Sequence, residues 1–299
     1  GECYLSEVTV YNDFNGFCNK LRMSDYVVNN VRTRYQAITK RINEDFWSST
    51  SNTNHSYYVG SYGRGTSIYT SDIDIIVELP WKEYSRFNDY AWNGQSSLLS
   101  AVRSSLMKTY STSKISADGQ VVDISFSDGV KFEVVPSFKY SDDSGFCYPD
   151  TNNGGSWKSM NPVLEMKCFN GRNSMTKGNL KKLCRMARAW KNEHQVLMSG
   201  ILIDTTAYRF MQNYEYAENS YTYFDWMSRD YFKYLYDNAE KIFWDKPGEG
   251  YIKRKYSIKN DAKFAYEKAC EAIEDAQKGY DYCWHSEWRE IYGSKFPES

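Results

Sequence analysis

Histidine is scarce in this chain: its three copies, His55, His194 and His285, stand far apart. The seven cysteines, at positions 3, 18, 147, 168, 184, 270 and 283, include no Cys-x-x-Cys pair. A zinc module needs clustered ligands, and a disulfide framework needs an even, patterned set, so neither is expected. Reduced thiols and a cytoplasmic location are the expectation instead. No apolar run reaches the ~20 residues that span a bilayer, so no membrane partner is expected. Gly1 to Val10 carries neither a basic start nor an apolar core, so no secretory leader is expected there. A surplus of charge is also lacking, since 37 basic and 38 acidic side chains leave a net charge of −1. Proteins that live on long nucleic acid usually carry a basic excess, so that partner is disfavoured and small charged substrates are favoured. Aromatic residues are plentiful, with 27 tyrosines. They are spread along the whole chain, and a tyrosine can pack its ring while its hydroxyl stays wet, so they indicate no function.

The periodicity of apolar residues predicts one long helix over Phe14 to Trp47. A polar stretch, Ser48 to Ser56, ends it. A short strand follows at Tyr57 to Val59, then a glycine-rich turn over Gly60 to Thr66, then a β-branched strand from Ile73 to Leu79. Trp81 to Tyr110 reads as mainly helical. Two strands, Val121 to Phe126 and Val130 to Phe138, flank a hairpin turn at Ser127-Asp128-Gly129. Ser141 to Ser159 is rich in Gly, Asn and Ser and reads as a surface loop. Beyond it the pattern is helical, including Asn179 to His194, Ile201 to Tyr214, Phe224 to Phe243 and Asp261 to Gly279. In Asn179 to His194 the apolar side chains line one face and the basic ones lie mostly on the other. The expected organisation is an N-terminal α/β part over 1–160 and a helical part over 161–299.

The stretch that carries chemistry is Val59-Gly60-Ser61-Tyr62-Gly63-Arg64-Gly65-Thr66-Ser67, followed by Ser71-Asp72-Ile73-Asp74-Ile75-Ile76-Val77. Carboxylates at i and i+2 on a strand project from one face, while Ile73, Ile75 and Val77 suit the buried face. Two like charges that close are costly without a cation, so Asp72 and Asp74 form an oxygen clamp suited to Mg2+. The small residues before the clamp let backbone N–H groups approach an anion, and the Ser61 hydroxyl adds a donor. A third carboxylate is expected from a neighbouring strand. Glu133 in Lys131-Phe132-Glu133-Val134-Val135-Pro136 is favoured over Asp123, completing a site for two metals. Taken singly, a Gly-Ser pair is usually a turn and an Asp-x-Asp a solvated strand edge; their conjunction is far more specific.

These residues resemble the signature of the polymerase-β-like nucleotidyltransferases: a Gly-Ser turn, Asp-x-Asp, then a third carboxylate. More narrowly, Gly60 to Thr66 with Ser71-Asp72-Ile73-Asp74 resembles the bacterial cyclic-oligonucleotide synthases called CD-NTases, relatives of cyclic GMP-AMP synthase. Phe132-Glu133-Val134-Val135-Pro136-Ser137-Phe138 is similar to that family's third-carboxylate strand. The segment Trp288 to Pro297 is similar to its closing Trp…Gly…Phe-Pro segment. Glu133 departs from the Asp common in the family by one methylene.

The resemblance implies an α+β fold, with a mixed-sheet catalytic core bearing a long N-terminal helix over 1–160 and a helical C-terminal lobe over 161–299 closing the nucleotide cleft. It implies catalytic and metal-binding roles for Asp72, Asp74 and Glu133 around two Mg2+ ions, with Mn2+ as the alternative. It implies phosphate contacts from Gly60 and Ser61, and from Arg185 and Ser199 in the helical lobe, with Lys182 and Arg188 as alternatives to Arg185. The implied reaction condenses NTP substrates, ATP foremost, into a cyclic di- or trinucleotide with release of pyrophosphate. That product would activate a downstream effector in antiphage defence. The rival readings are a linear oligonucleotide-synthesising, RNA-tailing or protein-modifying nucleotidyltransferase, and a non-catalytic nucleotide sensor. Lys253-Arg254-Lys255 reads as a solvated basic loop.

Overall fold

A computed structural model describes residues 2–299, with side chains from residue 7 onward. The side chain of Cys3 therefore lies outside the described residues. In chain order the elements are α1 (Glu2–Leu21), α2 (Asp25–Ile42), β1 (Ser56–Val59), α3 (Gly60–Arg64), β2 (Ile73–Glu78), α4 (Trp81–Asn88), α5 (Gly94–Met107), β3 (Lys114–Asp118), β4 (Val121–Ser125) and β5 (Lys131–Lys139). They continue with β6 (Phe146–Asp150), β7 (Ser156–Met160), α6 (Pro162–Met175), α7 (Asn179–His194), α8 (Gly200–Met211), α9 (Phe224–Asp237), β8 (Phe243–Asp245), β9 (Tyr251–Lys253), α10 (Lys259–Gln277) and α11 (Asp281–Tyr292). The chain divides into two compact units. One comprises Gly1–Arg22, Thr66–Tyr69 and Lys167–Ser299; the other comprises Met23–Gly65 and Thr70–Met166. Helix α1 thus groups with the helical unit, a different partition at the N-terminus from 1–160 and 161–299.

The second unit holds a seven-stranded mixed sheet with path order β1-β2-β5-β4-β3, to which β6 and β7 add alongside β5. Only β2 and β5 run parallel; the other neighbours are antiparallel. Strand β2 lies between β1 and β5, and its Ile73, Ile75, Ile76 and Val77 are fully buried. Each such side chain stabilises the fold by about 1.5–3 kcal/mol. The turn between β4 and β5 works as its residues dictate: Gly129 has φ +88° and the Asp128 carboxylate accepts the Val130 N–H at 3.2 Å. Arg34 of α2 holds this turn with an ion pair to Asp128 at 2.8 Å and a guanidinium 4.0 Å from the Phe126 ring centre.

The helical unit packs around its own core. The Phe14 ring of α1 meets Trp288 at 5.3 Å and Phe296 at 5.1 Å. The closing Trp288 to Pro297 segment therefore supplies core side chains of this unit. Gly293 in it has φ +86°, and a Cβ there would press on the Glu193 carboxylate.

Two expectations are corrected. The helix expected over Phe14 to Trp47 is two helices, because Ser24 is extended and its hydroxyl accepts the Val27 N–H, starting α2 afresh; a π-helical turn, Asn43–Trp47, follows α2. The surface loop expected over Ser141 to Ser159 contains β6 and β7. The mainly helical reading of Trp81 to Tyr110 holds as α4 and α5, separated at 89–93, where Asn93 takes a left-handed conformation and caps α5 by accepting the Ser96 N–H. No helix is long and apolar enough to cross a membrane among the described residues.

Candidate active site

In the sheet unit, Asp74 on β2 stands opposite Glu133 on β5, and Glu133 also stands opposite Asp123 on β4. Residues in register on neighbouring strands share a face and lie roughly 5 Å apart. Asp74, Glu133 and Asp123 therefore make one acidic row across three strands. Residues two apart on a strand share a face as well. Asp72 thus lies one level below Asp74, and Lys131 one level below Glu133. Asp72, just ahead of β2, is exposed; Asp74 is half-buried.

The electrostatics follow from this crowding. Burial pushes the Asp74 carboxyl well above the usual carboxylate range, and the hydrogen bond it shares with Glu133 and the charges of Glu133 and Asp72 add to the rise. Arg64 opposes it. Burial and the Glu133 charge also raise Asp72 and Asp123, against the pull of Lys131. Three aspartates shifted the same way mark like charges crowded together with too little counter-charge. One Asp123 oxygen, Oδ1, is buried and has no hydrogen-bond partner among the described residues.

Gly60 fits against this row. Val59 pairs with Asp74, and Gly60 follows with φ +60°, a left-handed conformation that glycine alone adopts readily. A Cβ on Gly60 would overlap the Asp74 carboxylate. The glycine-rich stretch is not an open turn but the short helix α3, which begins at Gly60-Ser61 and ends at Gly65, φ +73°. Buried Arg64 anchors α3 through a 2.8 Å ion pair from Nη1 to Glu165 Oε1 on α6.

The residues present fit a divalent ion by donor chemistry: acidic oxygens on adjoining strands, mutually repelled, one of them orphaned. They do not form a ready cage. No group of three His, Cys, Asp or Glu side chains among the described residues is disposed to hold an ion.

The remaining expected residues belong to the helical unit. Ser199 is the N-cap of α8, its hydroxyl accepting the Leu202 N–H at 3.3 Å. Arg185 on α7, the residue expected to contact phosphate, is buried. Burial and the nearby Arg22 push its guanidinium down to about 10. Burial and the Arg185 charge push Lys181 and Lys182 down too. Arg188 is also buried, but it is matched: Nη1 lies 2.5 Å from Asp204 Oδ1 and Nη2 lies 3.1 Å from Oδ2. The Thr66 hydroxyl donates to the same carboxylate at 2.7 Å. Arg188 thus has a structural assignment, and the electropositive group is Arg22, Lys181, Lys182 and Arg185.

Lys131, Arg64 and Glu165 were not singled out from sequence. Lys131 could have been, since it lies two residues before Glu133 on a strand. Lys253-Arg254-Lys255 ends the β8–β9 ribbon, where Lys253 and Lys255 are exposed and Arg254 donates to the Lys241 carbonyl at 3.1 Å.

Comparison with known proteins adds the following. The family model described as Second Messenger Oligonucleotide or Dinucleotide Synthetase domain matches residues 8–173. Among solved structures, the Vibrio cholerae DncV cyclic AMP-GMP synthase is similar at TM-score 0.72 and 14% identity, covering 96% of both chains. CdnC of E. coli MS115-1, solved in a CdnC:HORMA-deltaN complex, is similar at TM-score 0.67 and 14% identity, covering 96% of this chain and 98% of its own. The Bradyrhizobium diazoefficiens CD-NTase CdnG, in complex with GTP, is similar at TM-score 0.68 and 10% identity, covering 95% of each chain. At these identities the likeness shows the fold. No curated protein matches by sequence.

Proposed function

This chain belongs to the Second Messenger Oligonucleotide or Dinucleotide Synthetase family, and from that premise we propose that it joins NTPs, ATP among them, into a cyclic di- or trinucleotide. The observation that carries the reading is the meeting of Asp74 and Glu133 on parallel neighbouring strands, with Gly60 held against the Asp74 carboxylate. In each step a ribose hydroxyl oxygen bonds to the α-phosphorus of a 5′-triphosphate, first of an NTP and at ring closure of the linear intermediate itself, the bond to the pyrophosphate oxygen breaks, and the hydroxyl proton passes to a carboxylate or to water.

Asp72, Asp74 and Glu133 are our candidates to hold two Mg2+ ions, with Mn2+ as the alternative. Divalent ions bound there would neutralise charge at the transferring phosphorus and make the attacking hydroxyl more acidic. Gly60 and Ser61 open α3 and present backbone N–H groups, which supports a phosphate contact. Arg185 lies in a group of desolvated cations, which supports its taking an anion such as a triphosphate. Ser199 still has its hydroxyl proton to donate while its oxygen accepts from Leu202. The relative CdnG was solved with GTP, and CdnC with a HORMA partner. By analogy, a nucleotide product acting on a downstream effector in antiphage defence is the role we propose here.

The test is incubation of the protein with labelled NTPs and Mg2+, phosphatase treatment and chromatography. A cyclic product has no terminal phosphate and survives. The reading requires a resistant product that the Asp72→Asn/Asp74→Asn variant does not make. Products that are all phosphatase-sensitive would refute ring closure.

A further inference from the structure

The acidic row contains one cation that neither the sequence motif nor the reaction accounts for. Lys131 Nζ lies 3.6 Å from Glu133 Oε1 and 3.7 Å from Asp123 Oδ2. The two distances are nearly equal and both long for an ion pair, so the ammonium is shared rather than committed to either carboxylate. Register puts Lys131 opposite Ser125 on β4, and the pairing of Ile73 with Phe132 puts Asp72 beside it on the β2 side. Its neighbours on this face are therefore Asp72, Asp123 and Glu133, with only neutral Ser125 besides. Asp74 lies diagonally above.

We propose that Lys131 is a resident counter-cation of the site: it holds Glu133 and Asp123 together and limits how tightly the carboxylates take a divalent ion. The inference rests on the metal-binding reading above. Four carboxylates on one patch of a sheet would repel one another strongly. A lysine suits this task because its ammonium is a compact point charge on a long flexible stem. It can balance several oxygens, and it can swing aside when a stronger cation arrives. While it remains, it repels a dication from the same oxygens. A neutral side chain at 131 should therefore loosen the ion-free protein and tighten metal binding, two effects of opposite sign. A purely structural lysine would give only the first.

The experiment is a Mn2+ titration of the nucleotide-free protein, with free Mn2+ counted by electron paramagnetic resonance. Lys131→Met should bind Mn2+ about tenfold more tightly than wild type and melt earlier without metal. Lys131→Gln, which keeps a polar end if the methionine variant folds poorly, should tighten binding in the same direction. Lys131→Arg, which keeps the charge, should stay within about threefold of wild type. Unchanged or weaker Mn2+ binding in the neutral variants would overturn the proposal. Asp74→Asn separates the two levels of the argument. If it loses Mn2+ binding while Lys131→Met matches wild type, only the lysine's role falls. If it binds Mn2+ as wild type does, the carboxylate metal site itself falls.

Discussion

The two units each contain a crowd of like charges, opposite in sign and built differently. In the sheet unit the crowd is acidic: Asp72, Asp74, Glu133 and Asp123 lie on three strands whose register fixes them side by side. In the helical unit it is basic: burial lowers the proton affinity of Lys181, Lys182 and Arg185, the Arg185 charge adds to it at both lysines, and the Arg22 charge adds to it at Lys181 and Arg185. The helical unit also shows what a completed charge looks like. Arg188, one turn beyond Arg185 on α7, has both guanidinium ends on Asp204. The lesson is that neither unit lacks the means to neutralise a buried charge. Where like charges crowd, a ligand of opposite sign adds balance: cations beside the carboxylates, an anion beside the basic group.

The sharpest way to break the comparison is Asp74→Asn. It should lower the rate of nucleotide transfer by at least about 1,000-fold, roughly 4 kcal/mol at the transition state, while raising the melting temperature of the ion-free protein. Loss of both activity and stability would show that Asp74 belongs to the fold rather than to the site. Arg188→Ala comes next. Removing one partner of a buried ion pair should destabilise by about 3–5 kcal/mol, read by denaturant unfolding, because Asp204 is left charged and fully buried. Arg185→Gln should act on binding instead, with KM for NTP raised about tenfold, some 1.4 kcal/mol. An unchanged KM would remove Arg185 from the phosphate contacts.

The smallest effect is on pH dependence. The folded chain holds the Asp74 proton more firmly than the unfolded chain does, whose value is about 3.9. The stabilising contribution is therefore complete below about pH 4 and is lost as pH rises through the higher folded value. Melting temperatures of wild type minus those of Asp74→Asn should fall across that window without metal. Mg2+ should raise the wild-type melting temperature more at pH 8 than at pH 5, since the ion needs the deprotonated carboxylate. An Mg2+ effect independent of pH would contradict this.

How much could be read in advance differs between the two crowds for the same physical reason. A strand repeats every two residues, so Asp72, Asp74 and Glu133 declare their face from spacing alone, and Asp-Gly announces the hairpin that brings Glu133 into line. The partnership of β2 with β5 is non-local, and the sequence motif offers it only as a condition. On α7 the apolar stripe Leu180, Leu183, Ala187 and Trp190 is legible, but spacing does not separate the roles of the buried Arg185 and Arg188. Spacing cannot show that a buried Asp204 waits for Arg188, or that Arg22 follows the end of α1. The break at Ser24 was hidden because no Gly or Pro marks it; only the cap pattern of Ser24 to Val27 does. Strands β6 and β7 were masked by Pro149, Gly154 and Gly155 in a short polar stretch. The carboxylates were thus readable as a group, while their counter-charge, Lys131, was passed over as an ordinary strand residue.

The most direct measurement is a crystal structure grown with Mn2+ and a non-hydrolysable ATP analogue, with data collected to locate manganese by its anomalous signal. The account predicts manganese bound by Asp72, Asp74 and Glu133, with phosphate at Gly60 and Ser61. A bound nucleotide with no manganese at those three carboxylates would contradict it.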